Sequence, residues 1–370
     1  MEKAKISPRQ LFVLIILFQL GSSIIIPVGL TAKQDAWLAI LGGMVGGLLL
    51  FLLYYKVGSY YPGLVPTEYM PKLWGPFFGK FFAFFYVLYL FYLAARVLRD
   101  FGEMLVMFAY PETPLFIINL LWMILVVYTI RKGIETLART GEILFTVVVI
   151  LAVTALILLI LNGSIDTRNL QPLFEEGSVT VLKAMGESVF FPFGEIVVFT
   201  MIYPYLNQLN KAKRVGIYAL LVSGLVLSVT MAINLSVLGF SLLSRSQFPL
   251  LSTIQTIEIA EFIERLDVFF MIGVIIGGFF KITIFVYVAI MGTASLFKVK
   301  ESSHLVFPLG FITLFLSVGI ASNFPEHIRE GLDIVPLYLH LPFQMIFPLL
   351  LLVSAILVNR KKQKKQPATK

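Results

Sequence analysis

From residue 9 to residue 359 the chain is a succession of apolar stretches with little polar sequence between them. They are read as spans near 9–32, 35–57, 77–109, 114–131, 141–161, 183–205, 213–243, 267–297, 303–322 and 336–359. A helix needs about 20 residues to cross a hydrocarbon core of about 30 Å, and most of these runs reach that length. The composition agrees: 58% of residues are hydrophobic and 14% are charged, where soluble domains average about 25% charged. The fold class expected is an all-α integral membrane protein of about ten transmembrane helices. No polar stretch is long enough for a soluble domain, so residues 1–370 are read as one transmembrane domain ending in a basic tail, 360–370.

Charge placement gives an orientation. With the N-terminus in the cytoplasm, 20 of the 29 Lys and Arg fall on the inner side and 6 on the outer, leaving Arg96, Arg99 and Lys281 in the membrane. That asymmetry fits the positive-inside rule and predicts that both termini are cytoplasmic. The net charge of +8 therefore belongs to inner loops and to the tail, which reads as a stop-transfer anchor that holds anionic membrane lipid, and not to a nucleic-acid surface. Met1 to Arg9 leads straight into a span too long for a signal-peptide core, so no cleavable signal is expected. There is no Cys, and His304, His327 and His340 lack metal-ligand spacing, so no metal or cofactor is expected. With no Gly-rich phosphate loop and no Ser/His/Asp set, nothing points to an enzyme.

Ten spans divide into five and five, about 9–161 and 183–359. An odd repeat requires the second half to be inverted, which predicts a five-plus-five inverted repeat. Spans 1 and 6 occupy corresponding positions, and both are irregular at the centre. Span 1 carries Gln19-Leu20-Gly21-Ser22-Ser23, then Pro27 and Gly29; span 6 carries Phe191-Pro192-Phe193-Gly194-Glu195. Pro192 removes a backbone donor and interrupts a helix. Non-helical backbone at membrane depth is tolerated only where protein buries it or a cavity wets it. Paired interruptions of this kind mark the midplane site of inverted-repeat transporters. Broken helices 1 and 6 are thus expected, with Gly21, Ser22, Ser23, Phe191, Phe193, Gly194 and Glu195 at a ligand site. Small residues that merely let helices pack are the alternative for Gly21 to Ser23.

Glu195 reads either as a partner for a ligand ammonium, a sodium ion or a proton, or as a capping carboxylate. Lys281 lies mid-span and too deep to snorkel, so it is expected to face the interior, with Glu195 its candidate partner. A buried ammonium there can replace a bound sodium ion electrostatically; a purely structural pair is the other reading. In span 3, Arg96–Asp100 and Arg99–Glu103 have i,i+4 spacing and read as neutralised pairs near the outer interface, or as an outer gate. Tyr86, Tyr89 and Tyr92 recur every three residues, with Tyr92 near mid-span; one of these hydroxyls is expected to reach the site, and packing or interface anchoring is the other reading. Gly42, Gly43, Gly46 and Gly47, and Gly273 with Gly277, read as close-packing faces. Residues 60–76 read as a re-entrant or interfacial connection. Glu258, Glu261 and Glu264 share one face of an expected outer-loop helix over 248–265, either a cap over the mouth or an ordinary solvated helix.

The Phe-Pro-Phe-Gly-Glu motif in span 6, Gly-Gly-Phe-Phe-Lys in span 8 and the order of the spans together resemble the B subunit of GerA-type spore germination receptors. That family is similar to amino acid–polyamine–organocation transporters. The resemblance implies a subunit of the spore inner membrane that binds a small germinant, an amino acid or a sugar, and works with an A subunit and a lipoprotein C subunit. It places Gly21 to Ser23 and Phe191 to Glu195 in the pocket, with Tyr92 and Lys281 beside them. A proton-coupled amino acid transporter and a channel subunit for ions or water are the competing readings.

Overall fold

The computed structural model describes residues 5–257 and 266–365, and apart from one isolated bridge their regular structure is helical. In chain order the helices are α1 (Pro8–Leu20), α2 (Ala36–Tyr60), α3 (Pro66–Trp74), α4 (Pro76–Phe108), α5 (Leu115–Lys132), α6 (Ile134–Leu161) and α7 (Ser178–Phe190). They continue with α8 (Ala212–Leu243), α9 (Pro249–Gln255), α10 (Leu266–Phe297), α11 (Ser303–Gly319), α12 (Phe324–Arg329) and α13 (Phe347–Lys365).

Among the described residues, seven helices are long and apolar enough to cross a membrane: α2, α4, α5, α6, α8, α10 and the run Pro336–Arg360 that ends in α13. An eighth results if α11 and the segment Phe324–Ile334, bent by 106°, are taken as one span. The expected ten are therefore seven or eight by this measure. The shortfall falls on the segments read as spans 1 and 6. α1 and α7 have 13 residues each, about 20 Å of helix, because the chain breaks before either crosses.

Local chemistry sets these ends. Ser7 opens α1 by accepting from the Gln10 N–H, the Gln10 side chain accepts from the Ser7 N–H, and Pro8 occupies the first turn. Residues 60–76 hold the short helix α3, whose Trp74 donates to Ser354 Oγ of α13 at 2.9 Å. α10 is the central helix, almost wholly buried from Val274 to Gly292, whereas α6 beyond Gly141 leaves most of its apolar side chains partly or fully exposed. The glycines of α2 seat the second interrupted segment: Gly42 lies on Met185, Gly43 on Ser188, Gly46 on Val189 and Gly47 on Phe193. The close-packing reading of that stripe holds, and it is what brings α7 to the centre.

Polar contacts tie the chain after α1 to the chain leading into and through α7. Asp35 accepts from the Phe174 N–H at 2.7 Å, Thr31 donates to Glu187 at 2.9 Å, and Lys33 pairs with Glu176. At the other end, Ile6 donates to the Tyr205 carbonyl at 2.9 Å and accepts from Asn207 at 3.0 Å. Glu258, Glu261 and Glu264, and the tail beyond Lys365, lie outside the described residues.

Candidate functional site

Both interruptions lie where sequence placed them. α1 stops at Leu20; Gly21 turns out of helical geometry, and Ser22–Ile24 form a single 3₁₀ turn. α7 stops at Phe190. Phe191 is extended (φ −124°, ψ 117°), as a residue before proline tends to be, and Phe193–Met201 continues as a fully buried 3₁₀ run. Tyr54 covers carbonyls freed by the irregular backbone, donating to the Gly194 carbonyl at 3.4 Å and to that of Gln344 at 2.5 Å.

Lys281 of α10 joins the breaks. Its ammonium is 2.6 Å from the Glu195 carboxylate, and both side chains are removed from solvent. The same nitrogen donates to Ser23 Oγ at 3.4 Å and lies over the rings of Phe191 (5.0 Å) and Phe18 (5.2 Å). Gly21 is the reason the lysine fits. A Cβ at residue 21 would stand 2.7 Å from Lys281 Cδ and 2.8 Å from Lys281 Cβ. Gly277, one turn before Lys281, packs against Gly21 in turn. Burying two charges is costly unless each has the other in close contact, and here they do. On one side the aromatic cluster Phe18–Phe199–Phe285 closes the pair in, with ring centroids 4.9–5.3 Å apart.

On its other side the pair borders a cavity of ≈ 40 Å³, room for about three waters. Ser22, Phe191 and Glu195 line it from the breaks; Arg96 and Asp100 line it from α4, and His340 from the last span. A lid of charge covers it. Arg96 donates to the His327 carbonyl and stands 3.9 Å from Glu330, while Asp100 contacts His327 Nε2 at 2.7 Å. Gly331 allows the chain to close on the Arg96 guanidinium. The lid segment continues into π-helical turns, Glu330–Ile334 and Pro336–Ile346. Pro336 and Pro342 cannot donate to a regular ladder, and wider turns absorb them.

The expected site residues separate into three groups. Ser22, Phe191 and Glu195 line the cavity; Gly21, Ser23 and Lys281 stand immediately behind them. Phe193 and Gly194 do not line it: Phe193 packs onto Gly47, and Gly194 faces the Gln344 side chain. Tyr92 does not line it either; its hydroxyl accepts from Arg96 at 3.3 Å. The tyrosine that reaches the polar centre is Tyr89, one turn earlier, hydrogen-bonded to His340 Nδ1 and Gln344 Nε2 at 2.8 Å each. The Arg99–Glu103 pair forms at 3.1 Å. The expected Arg96–Asp100 pair is replaced by contacts of each residue with the 327–330 segment, which offers shorter partners than the helix's own next turn. His340 and Gln344 were not expected at the centre. Their signal was legible: two polar residues at i,i+4 on one face of an apolar span, which lipid does not accept.

Two short helices that break off inside the bundle, the second held to a packed central helix by a buried ion pair, define the core of a transporter-type fold. Two solved transporters share that fold. MhsT in complex with L-phenylalanine matches with a TM-score of 0.68 and 14% identity, over 96% of this chain and 90% of that one. Mhp1, a nucleobase-cation-symport-1 family transporter in a closed conformation with bromovinylhydantoin bound, matches with a TM-score of 0.65 and 14% identity, over 89% and 75%. At such identity the likeness establishes the fold alone. A family model described as "Spore germination protein" matches residues 5–325, and the chain belongs to that family of integral membrane proteins. It is 50% identical to spore germination protein KB of Bacillus subtilis (strain 168) over 98% of each chain. It is also 26% identical to spore germination protein YndE of the same organism, over 81% of this chain and 83% of that one. The resemblance to the B subunit of germination receptors is thereby established.

Proposed function

We propose that the chain is the ligand-binding membrane subunit of a spore germinant receptor that senses a small nutrient, an amino acid, on a transporter fold. The observation that carries this is the Lys281–Glu195 pair, which locks the second break to α10 beside a small cavity with charged groups in its wall, bounded by the first break. That cavity is smaller than an amino acid, so binding requires the lid of Arg96, Asp100, His327 and Glu330 to move. A ligand shifts the protein toward another conformation only by its difference in affinity for the two. Here the difference comes from polar groups at the breaks that the closed form leaves without partners, Ser22 Oγ among them. Movement of the lid and the broken helices would then alter contacts with an A subunit and a lipoprotein C subunit in the spore inner membrane.

In this reading the chain makes ten crossings, with helices 1 and 6 broken, in a five-plus-five inverted repeat over about 9–161 and 183–359, and with both termini cytoplasmic. Lys281 supplies the positive charge that a coupling cation would otherwise bring to Glu195, which favours a receptor over a cation-driven carrier.

The test is binding and uptake of radiolabelled amino acids by the purified chain in proteoliposomes, with Glu195→Gln alongside and its folding followed by thermal unfolding. Binding without uptake, lost in the folded variant, is the expected result. Concentrative, proton-driven uptake would make the chain a transporter and overturn the receptor assignment.

A further inference from the structure

Away from the central site, Arg131 stands where two cavities meet. One is an apolar groove of ≈ 270 Å³ between α5 and α11, walled by Leu120, Ile124 and Val127 on one side and by Phe307, Phe311 and Leu314 on the other. It opens outward, with Ile124 58% and Phe311 52% exposed. The other is a cavity of ≈ 590 Å³ at the ends of α5 and α10, lined by Lys298, Lys300, Ser302 and Ser303. Arg131 lines both.

We propose that this paired site holds one anionic phospholipid, with an acyl chain in the groove and the phosphate on Arg131, and with Lys298 and Lys300 completing the charge. Three observations argue for that occupant. The first is length. From Leu120 to Arg131 the groove follows eleven residues of α5, about 16 Å, which matches one leaflet's share of a core about 30 Å thick. The second is charge. Arg131, Lys298 and Lys300 outnumber the two carboxylates that line the cavity, Glu68, which accepts from the Val65 N–H at 3.2 Å, and Glu301, which stands 3.3 Å from His304. Arg131 rests on the Phe307 ring at 5.3 Å, with its guanidinium 4.0 Å or closer to no described carboxylate. The N-terminus of the 17-residue α11 adds partial positive charge at Ser302 and Ser303. The third is continuity. Arg131 lines both the apolar groove and the cationic cavity, so the two adjoin in the order of a lipid's own tail and headgroup. The site also closes the end of α10, the helix that carries Lys281.

The experiment uses the full chain in detergent with Ile124→Trp as a reporter in the groove. Quenching is read with brominated phosphatidylglycerol and brominated phosphatidylcholine, after subtraction of the native tryptophans. The expected result is quenching by phosphatidylglycerol at lower lipid concentration. Arg131→Ala should weaken that preference about fivefold, and Lys298→Ala and Lys300→Ala about fivefold each, the factor a single cation contributes at an anionic surface. Arg131→Lys should retain part of it. Arg131 is exposed, so an unchanged melting temperature is expected and confirms that the variant is folded. Equal quenching by the two lipids would mean ordinary annular lipid and overturn the site. So would displacement by inorganic phosphate as effective as by lipid, which means a free-anion pocket. Shielding of the reporter from both lipids would mean that another protein chain covers the groove, and would also overturn it.

Discussion

The Lys281–Glu195 pair and the cluster of Arg96, Asp100, His327 and Glu330 both hold charge inside the protein, and they do it in opposite ways. The inner pair is one ammonium against one carboxylate at 2.6 Å, with 0% and 3% of the side chains exposed. The outer cluster spreads its charge over a carbonyl, an imidazole and two carboxylates, and Glu330 remains 34% exposed at the rim. Removing one member of a dry pair strands the other, whereas a member of the cluster has further protein partners, and Glu330 has water, to fall back on. The inner pair is therefore suited to hold a structure together, and the outer cluster to come apart at low cost.

The sharpest way to break this comparison is at Lys281. Lys281→Met strands Glu195 without solvent and is expected to lower stability by about 3–5 kcal/mol, read as thermal unfolding in detergent. Adding Glu195→Gln should recover most of that loss; a double variant no more stable than the single would mean the pair is not a unit. Next is Gly21→Leu. Its side chain would have to displace the lysine stem, at a cost of up to about 3 kcal/mol, and ligand binding should be lost with it. Normal binding in that variant would remove span 1 from the pocket. At the lid, Asp100→Asn weakens the contact with His327 and is expected to cost only about 1 kcal/mol while speeding ligand exchange. A loss as large as that of Lys281→Met would erase the distinction drawn here.

The smallest effect is expected in the loop between α6 and α7. Arg168 beside Asp166 holds its carboxyl below the ordinary value, by side-chain and backbone hydrogen bonds and then by charge. A carboxyl with a lowered folded pKa adds stability above its unfolded pKa of about 3.9, and that contribution is lost as pH falls through the folded value. Arg168 is exposed and Asp166 is half-exposed, so Asp166→Asn should move the melting temperature barely at neutral pH and not at all below the carboxylate range. A shift as large as that at the lid would show the loop to be part of the gate.

Much of the architecture was legible before the structure. The third span, read as 77–109, is α4, Pro76–Phe108. Both breaks were marked by residues that cannot continue a helix, and Lys281 was marked as needing a buried partner. The lid was read wrongly for a definite reason. Arg96 and Asp100 have the spacing of a local pair, but Asp100 contacts His327, which is 227 residues away in sequence. Helical spacing ranks only partners on the same helix. Tyr92 was favoured for its place near mid-span, but a three-residue period puts Tyr89 and Tyr92 along one side of a helix, and only the packed neighbour shows which hydroxyl meets His340 and Gln344.

By itself, then, the sequence determined that the chain lives in a membrane and where its helices must fail. Those properties follow from what lipid refuses: unpaired backbone, unpaired charge and a proline in a helical ladder. The tertiary structure alone decided which charge meets which, that Phe193 turns toward α2 while Phe191 turns toward the cavity, and that Gly21 exists to admit the stem of Lys281. Those outcomes depend on the close packing of helices distant in sequence, where a contact is won by a fraction of an ångström that no local pattern records.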